Sequence, residues 1–394
     1  MRSQAVACGG RPSAEIIMDY FAYNGSVKTP VQMTIYGLLF VSSYVLVLLL
    51  SPPLARLARR LGALDYPDDR KVHTSPVPRL GGIAVICAMS MSLLMGYVLN
   101  RYIRGDLYSL RGMLAGGLII IAIGIWDDLR NLSPLVKLPA HVAAAGVAVA
   151  MGIRFQLASN PLADHIRDYF DLGLLGIPLT MLWIIGLTNA MNLVDGLDGL
   201  ATGISMFASI ALFLISIQQG AGIVTYMYAM IAGATLAFLK FNRYPAKIFL
   251  GDTGSTFLGF TFACLSVQGT QKSYTLTALF IPVIIFGIPI FEAIATLIRR
   301  YLSDMKFFQA DRRHIHHLLL SSGLSQHQAV LLLYVITVIL GILGFTFTVL
   351  LDEYAAVILI IVGFLGGVLA KELNVFGTRT RGNGKDPRSA GVDK

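Results

Sequence analysis

The chain has 394 residues, of which 55% are apolar and only 13% charged, with a mean hydropathy of +0.69 and a net charge of +9. Soluble domains carry about a quarter charged residues, so the polar surface that a water-soluble globule needs is missing. The net positive charge would suit nucleic acid, but the placement of the basic residues explains it more simply, as an orientation signal in a membrane.

Residues 1–32 mix Gly, Ser and Ala, lack the apolar stretch of a secretory signal, and stop where the first apolar run begins. They are read as an N-terminal extension, with a start at Met33 or Met18 favoured over a short exterior tail. Eleven candidate spans follow, at roughly 33–51, 81–99, 108–126, 135–152, 174–190, 203–218, 221–239, 256–270, 276–296, 329–351 and 354–370. About 20 such residues cross about 30 Å of hydrocarbon as a helix. The expected fold is therefore all-α, a polytopic bundle of about 11 transmembrane helices over residues 33–372. A basic, Gly-rich tail over 373–394 is expected to be disordered and cytoplasmic. Cys8, Cys87 and Cys264 show no paired spacing and read as packing residues rather than disulfide or metal ligands.

Eleven spans place alternate loops on opposite sides. One set of segments, together with the tail, holds 22 of the 31 basic residues, which makes that side cytoplasmic and leaves the N-terminus outside. Anionic lipid is the natural counter-charge, and no nucleic-acid partner is expected.

Five polar segments fall on that same side. The first runs from Arg70-Lys71-Val72-His73 through Pro76-Val77-Pro78-Arg79-Leu80-Gly81-Gly82. Its cations serve equally well as topology signals, but the prolines and glycines restrict the backbone so that Arg79 and His73 can sit at a helix start, where phosphate binds. The second is Asp127-Asp128-Leu129-Arg130, with Lys137 beyond it. Adjacent carboxylates repel, a strain that a metal or a proton-accepting role relieves.

The third segment, Asn189-Ala190-Met191-Asn192-Leu193-Val194-Asp195-Gly196-Leu197-Asp198, interrupts apolar sequence with amides and carboxylates. Such groups are costly at membrane depth unless they face a cavity or a ligand. Oxygen donors of this kind suit Mg²⁺, which takes one or two protein groups plus substrate phosphates. The fourth, from Asn242 through Phe249 to Gly251-Asp252-Thr253-Gly254-Ser255, reads either as an ordinary turn or as glycine amides and one carboxylate around a metal-diphosphate. Phe249 could stack on a base or anchor the loop. The fifth, Asp311-Arg312-Arg313-His314-Ile315-His316-His317, lacks the further ligands of a closed zinc site and reads as a cradle for phosphate and sugar hydroxyls.

Taken in order, these motifs resemble the polyprenyl-phosphate N-acetylhexosamine-1-phosphate transferases (glycosyltransferase family 4), over about residues 33–372. The Pro78-Arg79-Leu80-Gly81-Gly82 stretch and the His314-Ile315-His316-His317 spacing resemble the branch acting on UDP-N-acetylglucosamine. The resemblance implies attack by undecaprenyl phosphate on the β-phosphorus of the nucleotide sugar. UMP is released, and the product begins teichoic acid or another cell-envelope polysaccharide. It also implies Mg²⁺, with Mn²⁺ as a substitute, and a multi-pass enzyme in the bacterial cytoplasmic membrane whose active site faces the cytoplasm; a homodimer stays open.

By position, Asn192 and Asp252 become metal ligands, and Asp127 or Asp128 the base. Asn189, Asp195, Asp198, Asn242 and Phe249 surround the nucleotide. Arg79, Lys137, Arg313, His314, His316 and His317 hold phosphate and sugar. The alternatives are the phospho-N-acetylmuramoyl-pentapeptide branch and, less favoured, an ion-coupled transporter. Transporter sites lie near the midplane at broken helices, whereas these polar groups gather at span ends on one face.

Overall fold

The computed structural model describes residues 30–67, 75–99, 110–159, 169–220, 222–270, 276–302, 314–350 and 367. Among them are twelve α-helices: α1 (Pro30–Leu61), α2 (Gly81–Leu99), α3 (Arg111–Arg130), α4 (Pro134–Ala150), α5 (Gly176–Val194), α6 (Leu200–Gln218), α7 (Ile223–Asn242), α8 (Gly251–Thr270), α9 (Leu276–Ile285), α10 (Gly287–Leu302), α11 (Ile315–Ser321) and α12 (Gln326–Leu350). Seven of the described helices are long and apolar enough to cross a membrane. The architecture is the all-α polytopic bundle expected from the apolar runs. The span expected at 354–370, apart from Gly367, and the 373–394 tail lie outside the described residues, as does most of the 1–32 extension.

Boundaries shift in informative places. The α3 helix continues to Arg130 and α5 to Val194, so the Asp127-Asp128 pair and both Asn189 and Asn192 are helical rather than in loops. The Gly251–Ser255 segment is the first turn of α8, which gives the eighth span its full 20 residues. The span expected at 276–296 is two helices, interrupted at Phe286 and running on to Leu302; Pro282, Gly287 and Pro289 supply the breaks. Two short antiparallel ribbons complete the description, β1 (Leu64–Asp65) with β2 (Val77–Pro78) and β3 (Leu157–Ser159) with β4 (Tyr169–Asp171).

The α8 helix is the hub. It packs against α2, α3 and α5, and Leu258, Phe260, Phe262, Cys264 and Val267 on it are fully buried. Close approach depends on small residues: a Cβ on Gly82 would run into the backbone of Gly254 where α2 meets α8. The outer surface is apolar, with Leu94, Leu118, Leu182 and Ile342 each at least 60% exposed, as lipid-facing positions should be. Cys87 and Cys264 are unpaired, as the spacing predicts. A second apolar cluster, including Val194, Leu197, Ile288, Ile315 and Val330, ties together the ends of α5, α10, α11 and α12. It underlies one wall of the cleft described next.

Candidate active site

Backbone pairing brings the first and fourth polar segments together. Arg79 N donates to Ala63 O, Phe249 N to Pro78 O at 2.7 Å, and Gly81 and Gly82 donate to the carbonyls of Phe249 and Leu250 at 3.0 and 2.7 Å. The entry to α2 is thus strapped to the entry to α8. The hinge is Gly251, with φ of +73°, where a side chain would strike the Arg79 carbonyl and the Asp128 carboxylate. Arg79 Nη2 then lies 3.0 Å from Asp65 Oδ1, and its Nη1 donates to Asn131 Oδ1 at 2.5 Å.

These ends enclose a cleft of about 380 Å³, within the range of small-molecule sites. Of the residues expected at the site, Arg79, Asn192, Asp195, Asp198, Asn242, Phe249, Asp252, His314, His316 and His317 all line it. Groups up to 238 residues apart in the chain, Arg79 and His317, therefore share one wall-to-wall space.

The acidic pair divides its work. Asp128 accepts from Asp252 N (2.8 Å), Thr253 N (3.1 Å) and Thr253 Oγ1 (2.5 Å), so its carboxylate caps the N-terminus of α8 from a neighbouring helix. Capping of this kind satisfies amides that have no partner within their own helix. Asp127 points elsewhere. It accepts from Leu132 N at 2.6 Å and pairs with Lys137, whose Nζ also lies 2.6 Å from Asp252 Oδ2. One ammonium thereby bridges carboxylates from α3 and α8. Asn192 donates to Asp252 Oδ1 at 2.6 Å and to Ser255 Oγ at 3.0 Å.

Other expected residues serve the frame. Asn242 is buried and spends its amide on Thr202 and Ile248, and Asp198 accepts from Ala246 N, so both hold the loop leading to Phe249. Asn189 donates to Ile185 O at 2.7 Å and meets His141 of α4, outside the cleft lining. Arg313 and His73 lie outside the described residues.

The histidines stack. His314 and His316 are nearly parallel with centroids 5.5 Å apart, and His316 and His317 lie 4.4 Å apart. Glu292 of α10, 1% exposed, orients this group: its Oε1 lies 2.7 Å from His314 Nδ1 and 3.4 Å from Arg299 Nη2, while Oε2 accepts from Ile315 N at 2.8 Å. Burial, reinforced by repulsion from His317 and His314, pushes the His316 imidazole down to about 3, so it is neutral at working pH. Asp195 is half-exposed by its own surface but enclosed by the cleft walls. That enclosure, with repulsion from Asp128 and Asp198 outweighing attraction to Arg79, pushes its carboxyl up to about 7.

Asp65, Glu292 and Gln326 belong to none of the five polar segments, and the structure adds them to the site. Asp65 and Gln326 lie in polar stretches with no recognisable ligand spacing, and Glu292 stands alone. A carboxylate in the otherwise apolar stretch Ile288–Leu297 was the one available hint for Glu292. Among the described residues no group of three His, Cys, Asp or Glu is placed to hold a metal by itself. The donors available around Asp252 are hard oxygens, from Asp252, Asn192, Ser255 and Asp127, and a positive charge already sits between two of them. That set suits a cation such as Mg²⁺, which draws its remaining ligands from water and substrate.

The chain matches the model of glycosyl transferase family 4 over residues 110–270, that is, α3 through α8. It is 38% identical over 303 residues to the probable undecaprenyl-phosphate N-acetylglucosaminyl 1-phosphate transferase of Bacillus subtilis, covering 77% of this chain and 82% of that protein. It is 33% identical to the decaprenyl-phosphate N-acetylglucosaminephosphotransferase of Mycobacterium tuberculosis (72% and 75% covered). It is 32% identical to the undecaprenyl-phosphate alpha-N-acetylglucosaminyl 1-phosphate transferase of Escherichia coli K12 (73% and 77% covered). The convergence of four of the five polar motifs on one cleft, with the Asp127-Asp128 pair joined to it through the start of α8, in a bundle of apolar helices, and these similarities agree: the chain is a multi-pass membrane enzyme of glycosyl transferase family 4.

Proposed function

We propose that the protein transfers N-acetylglucosamine-1-phosphate from UDP-N-acetylglucosamine to undecaprenyl phosphate, releasing UMP, as the initiating step of a cell-envelope polymer such as teichoic acid. The observation that carries this reading is the Lys137 bridge from Asp127 to Asp252: Asp252 lines the cleft, and Lys137 and Asp127 stand behind it, outside the lining. It sets a carboxylate, a cation and a second carboxylate side by side where helix ends meet, beside a pocket large enough for a nucleotide sugar. The relatives named above, which share its family and most of its length, point the same way.

Phosphoryl transfer needs in-line positioning and neutralised oxygen charge more than covalent chemistry. In this scheme an oxygen of the lipid phosphate attacks the β-phosphorus, the bond from that phosphorus to the bridging oxygen breaks, and UMP leaves with that oxygen. Asp127, freed by its geometry from the capping duty of Asp128, takes the proton of the lipid phosphate. Lys137 steadies the phosphate charge. The loop held by Asn242 and Asp198 presents Phe249 to the nucleotide, and the end of α5 presents Asp195. Arg79 and the histidines receive phosphate and sugar hydroxyls. Asn192 and Asp252 would hold Mg²⁺, which when bound supplies neutralisation of the diphosphate and a better leaving group.

The site would face the cytoplasm of a bacterium, the side rich in Lys and Arg. A single Arg130→Cys protein should then be labelled from the cytoplasmic face of oriented membranes, and labelling only from the exterior would reverse the orientation. The transferase itself is tested in membranes supplied with radiolabelled UDP-N-acetylglucosamine, undecaprenyl phosphate and Mg²⁺. Label entering lipid with release of UMP, and reversal by added UMP, supports the proposal. Transfer only from the muramoyl-pentapeptide donor would move the enzyme to that branch, and transfer from neither would remove the proposal.

A further inference from the structure

Gln326, the first residue of α12, lines the cleft, yet it is only 7% exposed and, among the described residues, both polar atoms of its amide lack a hydrogen-bond partner. A buried amide with neither donor nor acceptor satisfied destabilises the fold, because both groups have given up water and received nothing. Neighbouring amides in the same site are treated differently. Asn192 and Asn242 spend theirs on protein partners. Among the residues lining the cleft, His316 alone joins Gln326 in carrying a buried side-chain atom without a partner. Two such groups on one wall mark a surface shaped for something other than the protein.

We propose that Gln326 is a specificity-determining residue, whose amide pairs with an amide-type edge of the nucleotide sugar through one donated and one accepted hydrogen bond. A primary amide offers an N–H beside a C=O and is complementary to any group presenting the reverse pair. One part of UDP-N-acetylglucosamine does so, the imide edge of uracil; the 2-acetamido group is a trans amide whose N–H and C=O point to opposite sides, so it can offer only one of them to a single amide. The inference rests on the transferase reading and deepens it by assigning substrate recognition to a residue outside the motifs. A site built to pair with such an edge rejects analogues lacking it, since its own buried groups are then stranded.

The experiment compares wild type with Gln326→Met, close to isosteric and apolar, and with Gln326→Ala as a second variant. Binding of UDP-N-acetylglucosamine, UDP-glucose and UMP is measured by calorimetry on detergent-solubilised protein, alongside Tm without ligand. Loss of at least about tenfold in affinity, with Tm unchanged or raised, is the expected result, because removing an unsatisfied amide relieves the free protein while depriving the ligand. Loss for all three ligands assigns the uracil edge. Loss confined to UDP-N-acetylglucosamine, erasing its advantage over UDP-glucose, overturns the two-bond pairing, because the trans acetamide can take only a single hydrogen bond from Gln326.

Affinity within threefold of wild type for every ligand overturns the inference, and so does a loss accompanied by a lowered Tm in both variants, which would make Gln326 a structural residue. Wild-type protein that binds none of the three would remove the transferase reading and this inference together. Normal wild-type binding with an equally competent Gln326→Met protein would remove this inference alone.

Discussion

Lys137 Nζ lies 2.6 Å from Asp252 Oδ2 and also pairs with Asp127, so a single ammonium on α4 joins the end of α3 to the start of α8. Two carboxylates held this close need a positive charge between them, and in a partly desolvated site that charge is worth more than in water. Lys137→Met should lower kcat for transfer about 100-fold, the scale for losing one charge-stabilising group at a reaction centre. Steady-state assays with saturating substrates check this; a kcat within threefold of wild type would place Lys137 outside the chemistry.

Asp127 and Asp128 should separate cleanly. Asp128→Ala strips three donors at the start of α8 of a buried carboxylate partner, which should cost about 3 kcal/mol and lower Tm in detergent. Asp127→Asn keeps the shape and should leave Tm close to wild type while transfer falls by at least about 100-fold. The opposite pattern, in which Asp128→Ala folds normally and Asp127→Asn does not, would exchange the two roles.

Glu292 holds His314 through Nδ1, leaving Nε2 as the ring nitrogen available to a ligand. A carboxylate behind a functional histidine sets its tautomer and orientation, and losing such a partner typically reduces activity about 10–100-fold. Glu292→Gln should show that loss in wild-type background and almost none on top of His314→Ala. A double-mutant cycle in kcat/KM reads this coupling, and losses that simply multiply would show the two residues to act independently.

The raised Asp195 carboxyl predicts a pH dependence. With its value near 7 in the free protein, Asp195 is largely neutral at pH 6 and largely ionised at pH 8. The ionised form adds a negative charge beside an incoming diphosphate, so kcat/KM for the nucleotide sugar should fall as pH rises through 7. Asp195→Asn should flatten that limb, because kcat/KM reports groups of the free enzyme. Persistence of the same limb in the variant would assign it to another residue.

Removal of divalent metal offers a further handle on the corner where Lys137 and Asn192 meet Asp252. Chelation should abolish transfer, with recovery on adding Mg²⁺ or Mn²⁺. Asp252→Ala and Asn192→Ala should leave activity near background at ordinary Mg²⁺. Near-normal turnover of either variant at ordinary Mg²⁺ would remove that residue from the metal site.

The sequence by itself determined the membrane character, most of the helices and the grouping of polar motifs at span ends. Hydrocarbon demands long uncharged helices, and every interruption of them by Asn, Asp or His stands out. It could not determine which of two adjacent aspartates faces the chemistry. Successive residues on an α-helix are rotated by about 100°, so Asp127 meets Lys137 while Asp128 meets the amides of α8, and only the packing of α3 against α4 and α8 says which is which. Three-residue spacing likewise put Asn189 beside Asn192, yet the first turns to His141 and the second to Asp252. Glu292 and Gln326 were silent for a related reason: neither carries a motif, and its partner, or its lack of one among the described residues, is set by how the surrounding segments pack. Tertiary structure decided these roles because a side chain's function depends on what it faces, and direction is a property of packed helices rather than of residue order.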